Sequence, residues 1–438
     1  MKADIRKAAL AILLEKEAAG KYINLALASH TYDTLSEKER SQLTSLVYTV
    51  TEMQISYDYI IASVSKRETE KIDGYTKNIL RLGIAQIVDM HAIPDFAAVN
   101  ETVKLSRNPG ERSFVNGVLR AAVRTKDNLP LPDKNKNHKR YLSIKYSFPL
   151  WIVKHFSNLY GEDECEKILE RYSGARYTDL TVNTTKISVE NFIRLLSDNG
   201  YNAERNFDTG ISVRLDKSVN PERLPGFCEG YFFVQDRASL ASLLALSPAE
   251  NESVIDTCSA PGGKSFAAAI LMNNVGEVRS MELHESKISL IESGACRLGL
   301  SIIEPRVLDA TLPDPALFGT ADKVICDAPC SGLGVLGKKA DLRYKDKDTL
   351  ERLPELQYSI LKESAKYLKV GGELVYSTCT LNPAENEEVS SRFLMENPSF
   401  EPMDFSVGSY RSEGGRLTLL PHIHECDGFF VSKLKRIV

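Results

Sequence analysis

No CxxC pair occurs among the eight cysteines of this 438-residue chain, and their spacings form no even framework. That excludes a disulfide scaffold and predicts reduced, intracellular thiols. No run of about 18 apolar residues occurs either, which excludes a membrane-crossing helix. The opening MKADIRKAALAILLEKEAAG reads as an amphipathic helix with charges on every turn, not as a leader. With a formal net charge of -4 there is no global basic surface, so any nucleic-acid contact must come from local patches. A dinucleotide GxGxxG is missing. A Walker loop fails too, because Cys258 stands five positions before Gly263-Lys264-Ser265, where that loop needs glycine. A soluble cytoplasmic protein is expected, with no membrane and no DNA as partner.

The length is roughly three times a typical domain of about 150 residues, and 43% apolar content supports full-sized cores. Residues 1–128 show helical period throughout, as in Ile5, Ala8, Ala9 and Ile12, or Leu43, Leu46, Val47 and Val50, or Ile79, Leu80, Ile84, Ile87 and Val88. This predicts an all-α domain. LPLPDKNKNHKR at 129–140 cannot bury a core and reads as a linker. From 141 to 235 a helical stretch carrying Tyr141, Ile144, Trp151, Ile152 and Phe156 precedes alternating strands and helix, predicting a small α+β subdomain. From 236 to 438, short apolar runs alternate with helices of ten to fifteen residues, the pattern of a mostly parallel α/β sheet. The fold class is therefore multidomain. Such sheets bind ligands outside the carboxyl ends of their strands.

The chemistry-bearing residues fall at those ends. VIDTCSAPGGKS breaks from an apolar run into a glycine turn that is either a plain tight turn or a place where backbone approaches a nucleotide-like cofactor. Glu282 and Asp309 end the next two runs. Each alone reads as a solvated loop acid, but in this order they suit ribose hydroxyls and an adenine amino group. Cys330, in VICDAPCSG, and Cys379, in GGELVYSTCT, end two later runs. Thiolates are suited to conjugate addition: a thiolate added at carbon 6 of a pyrimidine makes carbon 5 nucleophilic toward a methyl sulfonium. A lone strand-end cysteine is more simply a small buried hydrophobe, the reading given to Cys258, Cys296 and Cys326. The plain reading of Asp327 is a cap for a following helix.

Taken together, VIDTCSAPGGKS, CDAPCSGLG, LQYSILKESAKYLKVGGELVYSTCTLNPAENEEV and LLPHIHECDGFF resemble, in order and spacing, the bacterial RsmB (Sun) rRNA cytosine-C5 methyltransferases. AAVNETVKLSR and ERSFVNGVLR resemble the NusB-like RNA-binding domain of those enzymes, so the likeness spans nearly the whole chain. The resemblance implies an all-α NusB-like domain, a small α+β subdomain, and a Rossmann-like methyltransferase domain that uses S-adenosylmethionine. It also implies small-subunit rRNA as partner and transfer of methyl to carbon 5 of one cytosine. By position, Cys258, Ser259, Ala260, Pro261, Gly262, Gly263 and Lys264 would wrap the methionine part of the cofactor, Glu282 its ribose and Asp309 its adenine. Asp327 would lie between cofactor and cytosine, Cys379 would be the nucleophile, and Cys330 would assist release. Chemistry alone leaves the two cysteines interchangeable. A tRNA substrate or a noncatalytic assembly factor are the alternatives.

Two positions depart from the family pattern. Thr181 stands before Val182-Asn183-Thr184 where the family usually has arginine, a phosphate contact that Lys186, Arg205 or Arg214 could replace; Glu282 replaces the usual Asp. RNA contact in the helical domain is expected from Arg107, Arg112, Arg120, Arg124 and Lys126, with Arg112, Arg120 and Arg124 sharing one helix face, and from KNKNHKR at 134–140. His422, His424 and Cys426 would alternate on a strand and lack a fourth ligand, so no metal is expected. No coiled coil or apolar stripe is seen, and a monomer is expected.

Overall fold

The computed structural model describes residues 4–20, 23–28, 35–174, 176–345 and 347–438. The chain forms two compact units: Met1–Ser173 with Lys339–Lys345, and Gly174–Lys338 with Asp346–Val438.

The first unit is helical. Its helices start where short polar side chains can satisfy the first free N–H groups: Ser36 and Glu39 form a reciprocal capping box ahead of the helix Glu37–Ser65, and Asp73 accepts from Thr76 N ahead of the helix Gly74–Val88. The latter helix is buried on nearly every side, with Ile79, Leu80, Leu82 and Ile84 each fully shielded, burial worth about 1.5–3 kcal/mol per side chain. It crosses the helix Pro109–Thr125 so closely that a Cβ on Gly83 would lie 2.5 Å from Leu119. Only glycine fits that crossing. Arg81 is buried on the same helix and is held bidentately by Asp58 at 2.7 Å and by Glu17 at 2.9 Å.

The helices His138–Lys145, Leu150–Tyr160 and Glu162–Ser173 belong to this first unit, whereas the sequence grouped residues 141–176 with the α+β part. Ser56 on the long helix donates to Ile144 O and Ser147 Oγ accepts from Ile55 N, contacts of a kind that periodicity does not reveal. The 129–140 segment is likewise tied down in part, since Lys134 and His138 both pair with Glu166.

In the second unit, β1 (Thr178–Val182), β2 (Ala203–Asn206), β3 (Ser212–Leu215) and β4 (Phe232–Val234) form an antiparallel sheet in the order β2-β3-β1-β4. The helix Val189–Asp198 supplies its apolar partners Phe192 and Leu196. The larger sheet carries five parallel strands: β5 (Ser253–Asp256), β6 (Glu277–Glu282), β7 (Ile303–Val307), β8 (Ala321–Asp327) and β9 (Leu368–Thr378). They lie in the order β9-β8-β5-β6-β7, and the strand Phe429–Arg436 adds antiparallel to β9. Successive side chains divide between two apolar layers. Val254, Ile325, Val375 and Val431 enter one, and Ile255, Val324, Leu374 and Phe430 the other. Strands buried on both faces read as continuous apolar runs, which is why they were visible in the sequence.

Candidate active site

Five loops follow the carboxyl ends of the parallel strands. β5 ends at Asp256, and the turn after it carries Gly262 at φ +112°, where a Cβ would strike the Phe266 ring at 2.3 Å. This glycine is required by both conformation and clearance. The Ala260–Pro261 peptide is cis. Asp256 is fully buried; its Oδ2 accepts from Ser265 Oγ at 2.7 Å, while Oδ1 has no partner among the described residues. Burial pushes its carboxyl up to about 7, against the opposing pull of Ser265 and Lys264.

A cavity of about 190 Å³ opens here, lined by Val234, Gln235, Asp236, Ser239, Asp256, Cys258, Ser259, Ala260, Pro261, Gly263, Lys264 and Asp327. The turn expected to wrap a cofactor therefore does line a cavity, Gly262 excepted. The Ser259 hydroxyl donates to Met281 O, which pins the turn to β6. Lys264 is buried, donates to Asp327 Oδ2 at 2.5 Å and to Ser239 Oγ at 3.0 Å, and lies over the Phe429 ring. Ser377 Oγ donates to the other Asp327 oxygen at 2.7 Å. Both oxygens of Asp327 are thus engaged. It caps no helix, because irregular chain follows β8.

Glu282 and Asp309 stand at the ends of β6 and β7 but do not line that cavity. Glu282 Oε1 accepts from His284 N and Lys287 Nζ; Asp309 Oδ1 accepts from the Thr311 amide and hydroxyl. Among the described residues none donates to the second oxygen of either acid.

Cys330 Sγ and Cys379 Sγ lie 3.2 Å apart, in loops after β8 and β9. The hydrogen bond to Cys379 and burial raise the Cys330 thiol well above its usual range. Cys258 and Cys326 are raised by burial, the latter to about 12, which leaves them inert as nucleophiles; Cys296 is exposed on a helix. Gly334 N donates to Cys379 O, and Gly428 N donates to Gly334 O, binding the loop after Cys330 to its neighbours.

The expected RNA-contacting residues fare differently from one another. Arg112, Arg120 and Arg124 are exposed on the helix Pro109–Thr125. Arg107 is bound by Glu111 and Asp73, and Lys126 by Asp95. In the second unit Lys186 donates its ammonium to Glu229 O and Arg297 O, Arg205 pairs with Glu190, and Arg214 is buried against Asp179. Thr181 is buried and donates to Gln235 Oε1. His422 and His424 lie in a helical turn, Pro421–His424, rather than on a strand, and His424 Nδ1 accepts from Leu420 N. Among the described residues no group of His, Cys, Asp or Glu is arranged to hold a metal ion, and no helix is long and apolar enough to cross a membrane.

Sequence reasoning did not reach Asp256, Gln235, Ser239, Ser377 or Glu385. Asp256 and Ser377 had a signal, each sitting at the end of an apolar run; the others are brought in only by tertiary structure.

Over residues 243–435 the chain matches the family described as 16S rRNA methyltransferase RsmB/F. It matches the NusB family over 3–124 and the ferredoxin-like domain of RsmF/B-like methyltransferases over 148–222. It is 36% identical to the "Probable ribosomal RNA small subunit methyltransferase B" of Bacillus subtilis (strain 168), with 99% of each chain covered. Identity to the protein of the same name from Synechocystis sp. is 33%, with 94% of each covered. Among solved structures, PH0851 shares the fold with a TM-score of 0.80 and 23% identity over 100% of both chains. A methyltransferase homolog from Pyrococcus horikoshii does so with a TM-score of 0.60 and 26% identity, over 68% of this chain and 99% of that one. With all three parts matched in order and relatives above 30% identity along nearly its whole length, the chain belongs to the RsmB/F family of 16S rRNA methyltransferases.

Proposed function

We propose that this chain methylates carbon 5 of one cytosine in small-subunit rRNA through a covalent bond between Cys379 and carbon 6. The thiol pair carries the reading. Two sulfurs at 3.2 Å supply a nucleophile and a separate proton-handling group at one place.

S-adenosylmethionine supplies an electrophilic methyl group on a sulfonium cation. The lining is acidic: Asp256 and Asp327 face the cavity beside Lys264, while Asp236 is paired with Lys338. The Cys258–Lys264 turn and Asp327 would hold the methionine part, Glu282 the ribose and Asp309 the adenine.

Asp327, fixed by Lys264 and Ser377, presents an acceptor to the exocyclic amino group of the extruded base. Cys379 adds to carbon 6, which makes carbon 5 an enamine-like nucleophile. After methyl transfer, which would release the cofactor as its thioether, the Cys330 sulfur takes the carbon 5 proton while the bond from carbon 6 to Cys379 breaks, restoring the double bond and freeing the Cys379 thiolate. Arg112, Arg120 and Arg124 offer phosphate contacts on the helical unit.

Bisulfite sequencing of rRNA from cells with and without this gene tests the reading. One small-subunit methylcytosine should vanish on deletion and return with wild type but not with Cys379→Ala. Cys330→Ala should accumulate a protein–RNA adduct. An adduct that survives Cys379→Ala and disappears in Cys330→Ala would reverse the roles of the two thiols.

A further inference from the structure

We propose that Glu385 is a positioning residue that holds the two catalytic thiols in register, an inference that rests on the reading of Cys330 and Cys379 as partners on one base. Glu385 is fully buried, six residues beyond Cys379. Among the described residues no lysine, arginine or histidine pairs with it. An isolated buried carboxylate is costly, and it persists only where donors replace the lost water. Here three do. Ser331 N donates to Oε2 at 2.8 Å, Gln357 Nε2 to the same oxygen at 2.9 Å, and Asn382 Nδ2 to Oε1 at 3.0 Å.

The donors are what give the carboxylate its meaning. Ser331 immediately follows Cys330, and Asn382 lies three residues after Cys379. One acceptor-only group therefore ties the loop of each thiol to the other, while Gln357 also bonds to Pro329 O on the far side of Cys330. The Ser331 and Thr380 hydroxyls, 2.7 Å apart, lie between the same two loops. A neutral amide of the same shape could not serve, because it must turn a donor toward one of these donors.

That requirement dictates the experiment. Glu385→Gln should lower kcat on the order of 10²-fold through misplacement of the reacting groups, with the KM for RNA and the affinity for S-adenosylmethionine within about 2-fold of wild type. Adding Asn382→Asp turns the opposing donor into an acceptor and should restore most of the rate. A readout independent of turnover is phenylarsine oxide, whose arsenic takes two thiolate sulfurs while its oxygen leaves as water with the two thiol protons. Peptide mapping should find it bridging Cys330 and Cys379 quickly in wild type, on the order of tenfold more slowly in Glu385→Gln, and quickly again in the double variant. Equal bridging rates in all three proteins would overturn the proposal, as would a double variant that remains as slow in kcat as Glu385→Gln. If wild type bridges arsenic at this pair yet forms no adduct with RNA, the catalytic reading fails and the clamp stands on the arsenic rates alone.

Discussion

Two buried ion clusters, one in each unit, differ in a way that separates structure from chemistry. Around Arg81 the guanidinium is fully engaged: Asp58 takes two of its hydrogens and Glu17 another. Around Lys264 the matching is incomplete. Asp327 is doubly bonded, but Asp256 keeps an oxygen without a partner and a carboxyl raised to about 7, and a cavity opens beside both. The first cluster engages its cation from two sides within itself. The second leaves charge and space unresolved at the same place, which is the mark of a site.

The sharpest break between them should come from removing each cation. Lys264→Met is expected to lower methyl transfer by 10²–10³-fold or more, because Asp327 loses the partner that fixes its charge, while the fold persists. Single-turnover assays together with circular dichroism check both halves of that statement. Arg81→Met should do the reverse, costing roughly 3 kcal/mol of stability through two stranded carboxylates, discounted because Glu17 is partly in water. Denaturant titration measures it. A Lys264→Met protein that unfolds as readily as Arg81→Met would dissolve the distinction.

Asp256 sharpens it further through pH. Its folded value near 7 stands above the ordinary 3.8, so the folded state binds the proton more tightly and stability falls as pH rises from about 4 to about 7. Asp256→Asn should remove that slope, worth at most a few kcal/mol, as seen in melting curves across the interval. The smallest effect is expected outside both clusters. Replacing exposed Arg112, Arg120 and Arg124 by glutamine should weaken RNA binding modestly at low salt and flatten the slope of log affinity against log salt by about 2. An unchanged slope would remove this helix face from the interface.

What the sequence disclosed was governed by distance along the chain. The placement of Cys330, Cys379, Glu282 and Asp309 at strand ends was legible because each ends an apolar run, and a parallel sheet gathers such ends at one edge. Lys186 and Arg214 were counted as available cations for RNA, yet one is bound to the carbonyls of Glu229 and Arg297 and the other to Asp179 across a strand pair. A charge in a string of letters carries no sign of its partner. Ser239 escaped notice for the same reason, since it meets Lys264 only after folding brings together residues 25 positions apart.

The seven residues Lys339–Lys345 carry one last consequence. Within the helical unit Arg343 is buried against the Phe148 ring, Asp341 accepts from Ile23 N, and Tyr344 donates to Thr51 O. During synthesis the first 173 residues leave the ribosome long before this segment exists. The helical unit must therefore wait, with the places of Arg343 and Tyr344 unfilled, until roughly two thirds of the second unit's chain has been made. Its maturation is timed by a stretch of polypeptide that encodes mostly something else, and a gene cut at the obvious boundary would leave the first unit without its final piece.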